Sequence, residues 1–190
     1  MDALDLLKTR RSVSTAFLAE PGPDAAQLDE ILTIGARVPD HGKLAPWRFI
    51  VFEGDARIKA GEALGALFKA KNPDAEEKKL EDERKRLAQA PVVIGVVSRA
   101  APHVKIPEFE QLLSAGNAAM NVVLAAHALG FTGQWVTGWI AYDPDAGKLL
   151  GLQPGERFVG FVHIGTSTVP YQDRPRPNLA DVVTRWQAPG

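Results

Sequence analysis

The chain has no cysteine, only two methionines, and almost no charge imbalance, and each scarcity removes a class of chemistry. Without thiols there is no disulfide, no thiolate nucleophile and no cysteine-ligated metal. Against 22 lysines and arginines stand 23 acidic residues, a net charge of −1. That balance argues against a general affinity for nucleic acid or anionic membrane, while leaving local basic patches open. No apolar run nears the roughly 20 residues a helix needs to span a bilayer. The N-terminus, Met1-Asp2-Ala3-Leu4-Asp5, is acidic and lacks an apolar region of signal-peptide length, so a cytoplasmic protein with no membrane or nucleic-acid partner is expected.

Familiar site motifs are missing as well. Neither G-x-G-x-x-G after a strand nor G-x-x-x-x-G-K-[ST] occurs, which removes a Rossmann dinucleotide site and a P-loop. His41, His103, His127 and His163 are far apart and lack metal-ligand spacing. Asp143 to Gly147 hints at a calcium loop, but Pro154 stands where the bidentate glutamate is required, so no metal is expected. There is no G-x-S-x-G nucleophile elbow. No Pro/Gly/Ser-rich linker or repeat divides the 190 residues, which reads as a single domain spanning 1–190.

The apolar pattern that is present predicts an α+β domain. Residues 2–10 predict a short helix with Leu4 and Leu7 on one face. Asp24, with Gln27 three residues on, predicts a capping box opening a helix whose Leu28, Ile31, Leu32 and Gly35 face the core. Phe49 to Phe52 reads as a strand, ended by Gly54, after which Asp55 caps a helix reaching about Lys71. Asn72-Pro73 stops that helix and starts another with proline at its first position. Residues 74–89 are mostly charged, which predicts a solvated helix face or, alternatively, a mobile flap over a pocket. Val92 to Val97 is a continuous β-branched run, the mark of a central strand covered on both faces.

The longest helix is predicted from Pro107 to Leu129. Phe109, Leu112, Leu113, Gly116, Ala119, Met120, Val123 and Leu124 form one stripe, and Ala118, Val122, Ala125 and Ala126 make the other side apolar too. A helix apolar nearly all round must be buried nearly all round, which in so short a chain predicts cover from a second subunit. Asp143-Pro144 starts a helix ending near Gly151, and Phe158 to Ile164 is a strand. The tail from Thr166 to Pro177 is expected to cross an existing surface, with Asn178 capping a last short helix. Helices outnumbering well-separated strands give a central sheet with helical cover.

Three polar segments could hold a ligand. Arg37 to Phe49 brings Arg, Asp, His, Lys and Trp into one helix-to-strand connection, although Trp47 reads as core. Arg10-Arg11-Ser12 offers two guanidinium forks that match phosphate oxygens; taken alone, the same arginines read as complements to a helix dipole. Arg174-Pro175-Arg176 is a second basic pair, for which a solvated tail is the plain reading.

With Ser114-Ala115-Gly116, Gly130 to Trp135 and Val159 to Gly165 in the same order, these segments resemble the FMN-dependent nitroreductase family, in its small bacterial NAD(P)H nitroreductase branch. The resemblance implies a mixed, mainly antiparallel sheet flanked by helices, and a homodimer with FMN sites shared at the subunit interface. It implies that Arg10, Arg11 and Ser12 hold the FMN phosphate and ribityl chain, with Arg174 and Arg176 closing on the same phosphate. Trp135, Val136 and Thr137 would pack on the flavin ring. Arg37 and His41 would reach the flavin bound mainly by the other subunit, His41 as a candidate proton donor. NAD(P)H is then the diffusible reductant, and a nitroaromatic, quinone or similar small molecule the electron acceptor. Because the chemistry resides on the flavin, no catalytic side chain is required. Dehalogenation and oxygen-dependent flavin breakdown remain alternatives on the same scaffold, and a non-enzymatic flavin carrier or sensor is an alternative of another class. One departure stands out: larger members of the family carry a lysine two residues after the serine of the first motif, and here that position is Ser14.

Overall fold

A computed structural model describes residues 2–189 and places the β-branched run at the centre of one sheet. Valine and isoleucine are stiff at their first side-chain torsion and pack well on a pleated surface. They form β3 (Val92–Ser98), in which every residue is buried. On one side β3 pairs with β2 (Trp47–Glu53), in register from Trp47 opposite Ser98 to Glu53 opposite Val92. On the other lies β5 (Arg157–Ser167), with a register shift between Val96 and Val97. The far edge of β5 takes β4 (Thr132–Val136), and its last residues take the two-residue β1 (Leu18–Ala19). All of these pairings are antiparallel. The chain thus forms the expected α+β architecture, an open antiparallel sheet flanked by helices.

Alternation along β3 sorts the core into two layers. Val92, Ile94 and Val96 face α2 (Ala25–Gly35) and α5 (Glu108–Ala128), packing with Ile31, Ala115, Val122 and Val162. Val93 and Val97 face the opposite way, with Phe52, Leu64, Ile140 and Phe161, under α3 (Gly54–Lys71) and α6 (Pro144–Leu149). The capping box of α2 is complete: Asp24 accepts from the Gln27 N–H, and the Gln27 side chain accepts from the Asp24 N–H.

Several local expectations need correction. Asp55 lies in the first turn of α3 but does not cap it; Glu53 takes the cap position without a side-chain bond. Pro73 sits in a turn, and the next helix, α4, runs from Glu77 to Lys85. The charged 74–89 segment is more than a solvated face, because Leu80, Glu83 and Leu87 are fully or almost fully buried. α4 crosses α3 at glycines: a Cβ on Gly61 would lie 1.9 Å from the Arg84 carbonyl oxygen. That oxygen belongs to backbone, so relief requires moving a helix. Gly61→Ala should therefore cost about 1–3 kcal/mol, the usual range for overpacking, read from urea midpoints at an unchanged m-value. A loss below a few tenths of a kcal/mol would show that α4 is free to lift.

The long helix buries the second apolar side and only part of its expected stripe. Ser114, Ala115, Ala118, Ala119, Val122, Val123 and Ala126 are buried, while Phe109 and Leu113 are exposed. Small residues win the inner face because α5 lies so close to the sheet: a Cβ on Gly133 would stand 3.2 Å from the Val123 Cα. The larger Leu112, Met120 and Leu124 are only partly buried. α1 (Ala3–Thr9) buries none of its residues, and Leu4 and Leu7 are exposed. The tail does cross a surface: Thr168 bonds to Phe17, and the Tyr171 hydroxyl lies 2.7 Å from the Thr132 hydroxyl. Asn178 precedes α7 (Leu179–Val182) without a side-chain capping bond. No described helix is long and apolar enough to cross a membrane.

Candidate functional site

Where α1 stops, the N–H of Arg10 still closes on the Leu6 carbonyl, and the chain then runs extended through Arg11 to Ser14. Extension lays these side chains against two distant segments. The Ser12 hydroxyl donates to the Gly133 carbonyl in β4 at 3.2 Å. Arg11 Nε donates to the Gln172 carbonyl at 2.9 Å and lies 3.8 Å from the Asp173 carboxylate. The same carboxylate accepts from Arg176 Nη2 at 3.1 Å. Burial, then the charges of Arg11, Arg176 and Arg174, push the Arg10 guanidinium below its ordinary value. Four cations from opposite ends of the sequence therefore share one corner of the fold.

A cavity of about 570 Å³ opens on this corner, with Arg11, Ser12, Ser14 and Arg174 on its polar side and Val13, Phe17, Val169 and Pro170 on its apolar side. A second hollow of about 380 Å³ shares Arg11 and adds Arg10, His127 and Tyr171. Like charges so gathered repel unless an anion lies among them, and one exposed aspartate is insufficient for four guanidiniums. Guanidinium forks with a serine hydroxyl suit phosphate oxygens, and the apolar walls suit a planar ring. The residues present fit a flavin mononucleotide.

Trp135, Val136 and Thr137 end β4, tied to this corner through the Ser12–Gly133 bond but outside the lining of the cavity. The indole Nε1 donates to the Val159 carbonyl at 3.3 Å, and a Cβ on Gly160 would come within 2.2 Å of that nitrogen. Glycine at 160 lets the indole lie flat on the sheet edge, leaving Trp135 38% exposed. Gly138, at φ +75°, then turns the chain away.

Arg37 and His41 are elsewhere in the same chain. The Arg37 carbonyl accepts from the Asn121 side chain at 2.9 Å, and His41 Nδ1 lies 2.8 Å from Glu110. Glu110 begins α5 while His127, beside Arg10, ends it, a span of about 25 Å at 1.5 Å per residue. Within one chain His41 is thus held nearly the length of α5 from the arginines. The loop itself is tightly wound, with positive φ at Gly42, Lys43 and Ala45, and Asp40 accepting from the N–H groups of Leu44 and Ala45. Trp47 is core, as its sequence context predicts.

Two groups near the site carried no recognisable sequence signal. His127, at the buried end of α5, is pushed down to about 4 by burial and by the Arg10 charge; the Gly133 N–H donates to its Nε2. Glu83 is buried without exposure. Burial alone would raise its carboxyl, but Arg86, Trp139 and Lys79 outweigh that and hold it at about 2. In the sequence Glu83 and Arg86 look like one more surface pair at helical spacing.

Fold and site together define a class, and comparison with known proteins gives it a family. The nitroreductase family model matches residues 7–166. "Putative NAD(P)H nitroreductase YdjA" of Escherichia coli strain K12 is 39% identical over 168 residues, covering 87% of this chain and 88% of the relative. A Haemophilus influenzae protein, "Putative NAD(P)H nitroreductase", is 40% identical over 169 residues, covering 87% and 89%. Among solved structures, a nitroreductase-like family protein from Bacillus cereus superposes with TM-score 0.83 at 23% identity, covering 99% of this chain and 97% of that one. A Desulfovibrio desulfuricans structure described as a "putative nitroreductase in complex with FMN" gives TM-score 0.74 at 23% identity, covering 100% and 99%. This chain belongs to the nitroreductase family and is an oxidoreductase.

Proposed function

We propose that the protein is an FMN-dependent NAD(P)H oxidoreductase acting as a homodimer in the cytoplasm, with residues 1–190 forming one domain. The observation that carries the reading is the convergence of four guanidiniums, with Arg11 and Arg174 lining the cavity and Arg10 and Arg176 close enough to add their charge, a cation cluster suited to a monophosphate. Bound there, FMN would supply hydride acceptance from NAD(P)H and electron delivery to a nitroaromatic, quinone or similar small acceptor. Arg10, Arg11, Arg174 and Arg176 would hold the phosphate, and Ser12 the chain that follows it. Trp135 to Thr137 would offer an apolar face and backbone groups to the ring. The site would thus orient donor and acceptor in turn, with no side chain obliged to act as a nucleophile.

Dimerisation is supported by unpartnered apolar surface on three elements: Leu4 and Leu7 on α1, Phe109 (68% exposed) and Leu113 on α5, and Leu179, Val182 and Trp186 (80% exposed) in the tail. It also answers the distance problem, since Arg37 and His41 of one subunit would serve a flavin held by the arginines of the other.

The test is direct. The purified protein, reconstituted with FMN if colourless, should show a flavin absorption band, and denaturation should release FMN. NADH or NADPH oxidation should then depend on an added nitroaromatic or quinone. Recovery of FAD, or no flavin after reconstitution, would end this reading. Bound FMN without NAD(P)H oxidation under any acceptor would favour a carrier or sensor.

A further inference from the structure

Arg86, just past the end of α4, is held more firmly than a surface arginine needs to be. Its Nε and Nη2 donate to the two oxygens of Glu83 at 2.6 and 2.8 Å, a bidentate pair. Glu83 in turn accepts from Trp139 Nε1 at 2.8 Å and lies 3.1 Å from Lys79 Nζ. One carboxylate is thus shared by two cations, and the cluster keeps a net positive charge. The ring of Trp139 is braced by Phe68, with centroids 5.5 Å apart.

The third nitrogen of this guanidinium, Nη1, makes no hydrogen bond among the described residues. It lies 3.0 Å from where a Cβ on Gly138 would stand. Gly138 directly follows Thr137, so an unused N–H donor abuts the turn that ends β4. The backbone around it is anchored on two sides. The Arg86 carbonyl accepts from His163 Nε2 in β5 at 3.2 Å, and the Thr15 hydroxyl donates to Gln89 three residues on. Residues 86–89 therefore bridge the Ser12–Thr15 wall and the Thr137–Gly138 turn. The side chain remains 27% exposed, open enough to meet a ligand and enclosed enough to keep its charge effective.

We propose that Arg86, clamped by Glu83 and Trp139, is the cation that the protein directs at the ring of its bound flavin and that favours reduced over oxidised FMN. The proposal rests on the FMN reading above. Reduced FMN carries more negative charge than oxidised FMN, so a fixed cation beside it binds the two forms unequally and raises the reduction potential. Ser14, on the neighbouring wall, brings no charge to share this role.

The experiment compares the FMN midpoint potential, and separate affinities for oxidised and reduced FMN, in the unaltered protein, Arg86→Gln, Arg86→Lys and Glu83→Gln. Arg86→Gln should keep oxidised FMN within about threefold and bind reduced FMN about tenfold more weakly, a drop of about 30 mV for a two-electron couple. Arg86→Lys, which keeps the charge but loses the fork, should recover most of the shift. Glu83→Gln, which removes the compensating charge, should move the potential upward. Opposite signs are not what a purely structural role would give. An unchanged potential in FMN-loaded Arg86→Gln overturns the proposal and leaves the FMN reading intact. Where Arg86→Gln does not fold, Glu83→Gln decides: an upward shift supports the proposal, and an unchanged or lower potential overturns it. Failure of the unaltered protein to take FMN in either state would end both readings before any variant is needed.

Discussion

An Arg11→Ala variant mixed with an Arg37→Ala/His41→Ala variant should show oxidoreductase activity that neither has alone. Arg11 lines the cavity edge, and losing a charge-assisted bond to phosphate should weaken FMN binding by about 1.5–3 kcal/mol, tenfold or more. His41 lies at Glu110, about 25 Å along α5 from His127 at the 1.5 Å rise of a helix, and Arg37 is tied to Asn121 between them. If they serve it across a two-fold dimer, each mixed dimer has one site with all three residues intact and one with none. After full exchange at equal concentration about a quarter of all sites are whole, from the symmetry of a two-site dimer. Activity near that fraction, arising at the rate of subunit exchange seen by sedimentation or mass measurement, supports the shared site. Exchange without recovered activity, from two variants each inactive alone, would place both groups in one chain's site or outside it.

The second large effect is a loss of stability on mild acidification. His163, in the centre of β5, is pushed down to about 4 by burial; its Nε2 donates to the Arg86 carbonyl and its Nδ1 has no hydrogen-bond partner among the described residues. His127 is likewise lowered to about 4. Both are neutral in the folded chain and titrate near 6.5 when unfolded. The unfolded state thus binds more protons between those values, so stability is full above about pH 6.5 and falls as pH drops toward 4. The loss by pH 5 is about 2 kcal/mol for each histidine, a large share of a typical 5–15 kcal/mol. Glu83 acts in a separate window: held at about 2, its contribution is present above about 4.5 and is lost only below that. Urea unfolding at pH 7.0 and 5.0 should therefore differ by several kcal/mol, and His163→Gln should remove roughly half of the difference. A flat profile would mean that the two rings are reached by water in the folded protein.

The elements legible in the sequence were those whose cause is local. Asp24 and Gln27 form their capping box from groups three residues apart, and Val92 to Val97 must be covered on both faces wherever the strand lies. Arg10, Arg11 and Ser12, with Arg174 and Arg176, were singled out by the family resemblance; residue type alone reads the first as a helix end and the second as a solvated tail. β4 was not legible. Thr132 to Val136 contains a glycine and a glutamine, has no clean alternation, and exists because β5, some thirty residues later, offers it an edge.

Burial of α5 illustrates the same limit. Both faces are apolar, so hydrophobicity alone could not choose between them; the choice followed from how closely Gly133 brings the helix to the sheet, which only small residues permit. Glu83 and Arg86 have the spacing of an ordinary solvated pair. Trp139, from the loop after β4, and the crossing of α3 and α4 at Gly61 take Glu83 out of water and leave one arginine nitrogen facing Gly138. Residue type determined by itself which charges the chain carries, where the capping box of α2 forms and which strand needs cover on both faces. Which charges lose their water, and so act strongly at short range, was decided only by tertiary packing, because desolvation depends on contacts between segments far apart in sequence.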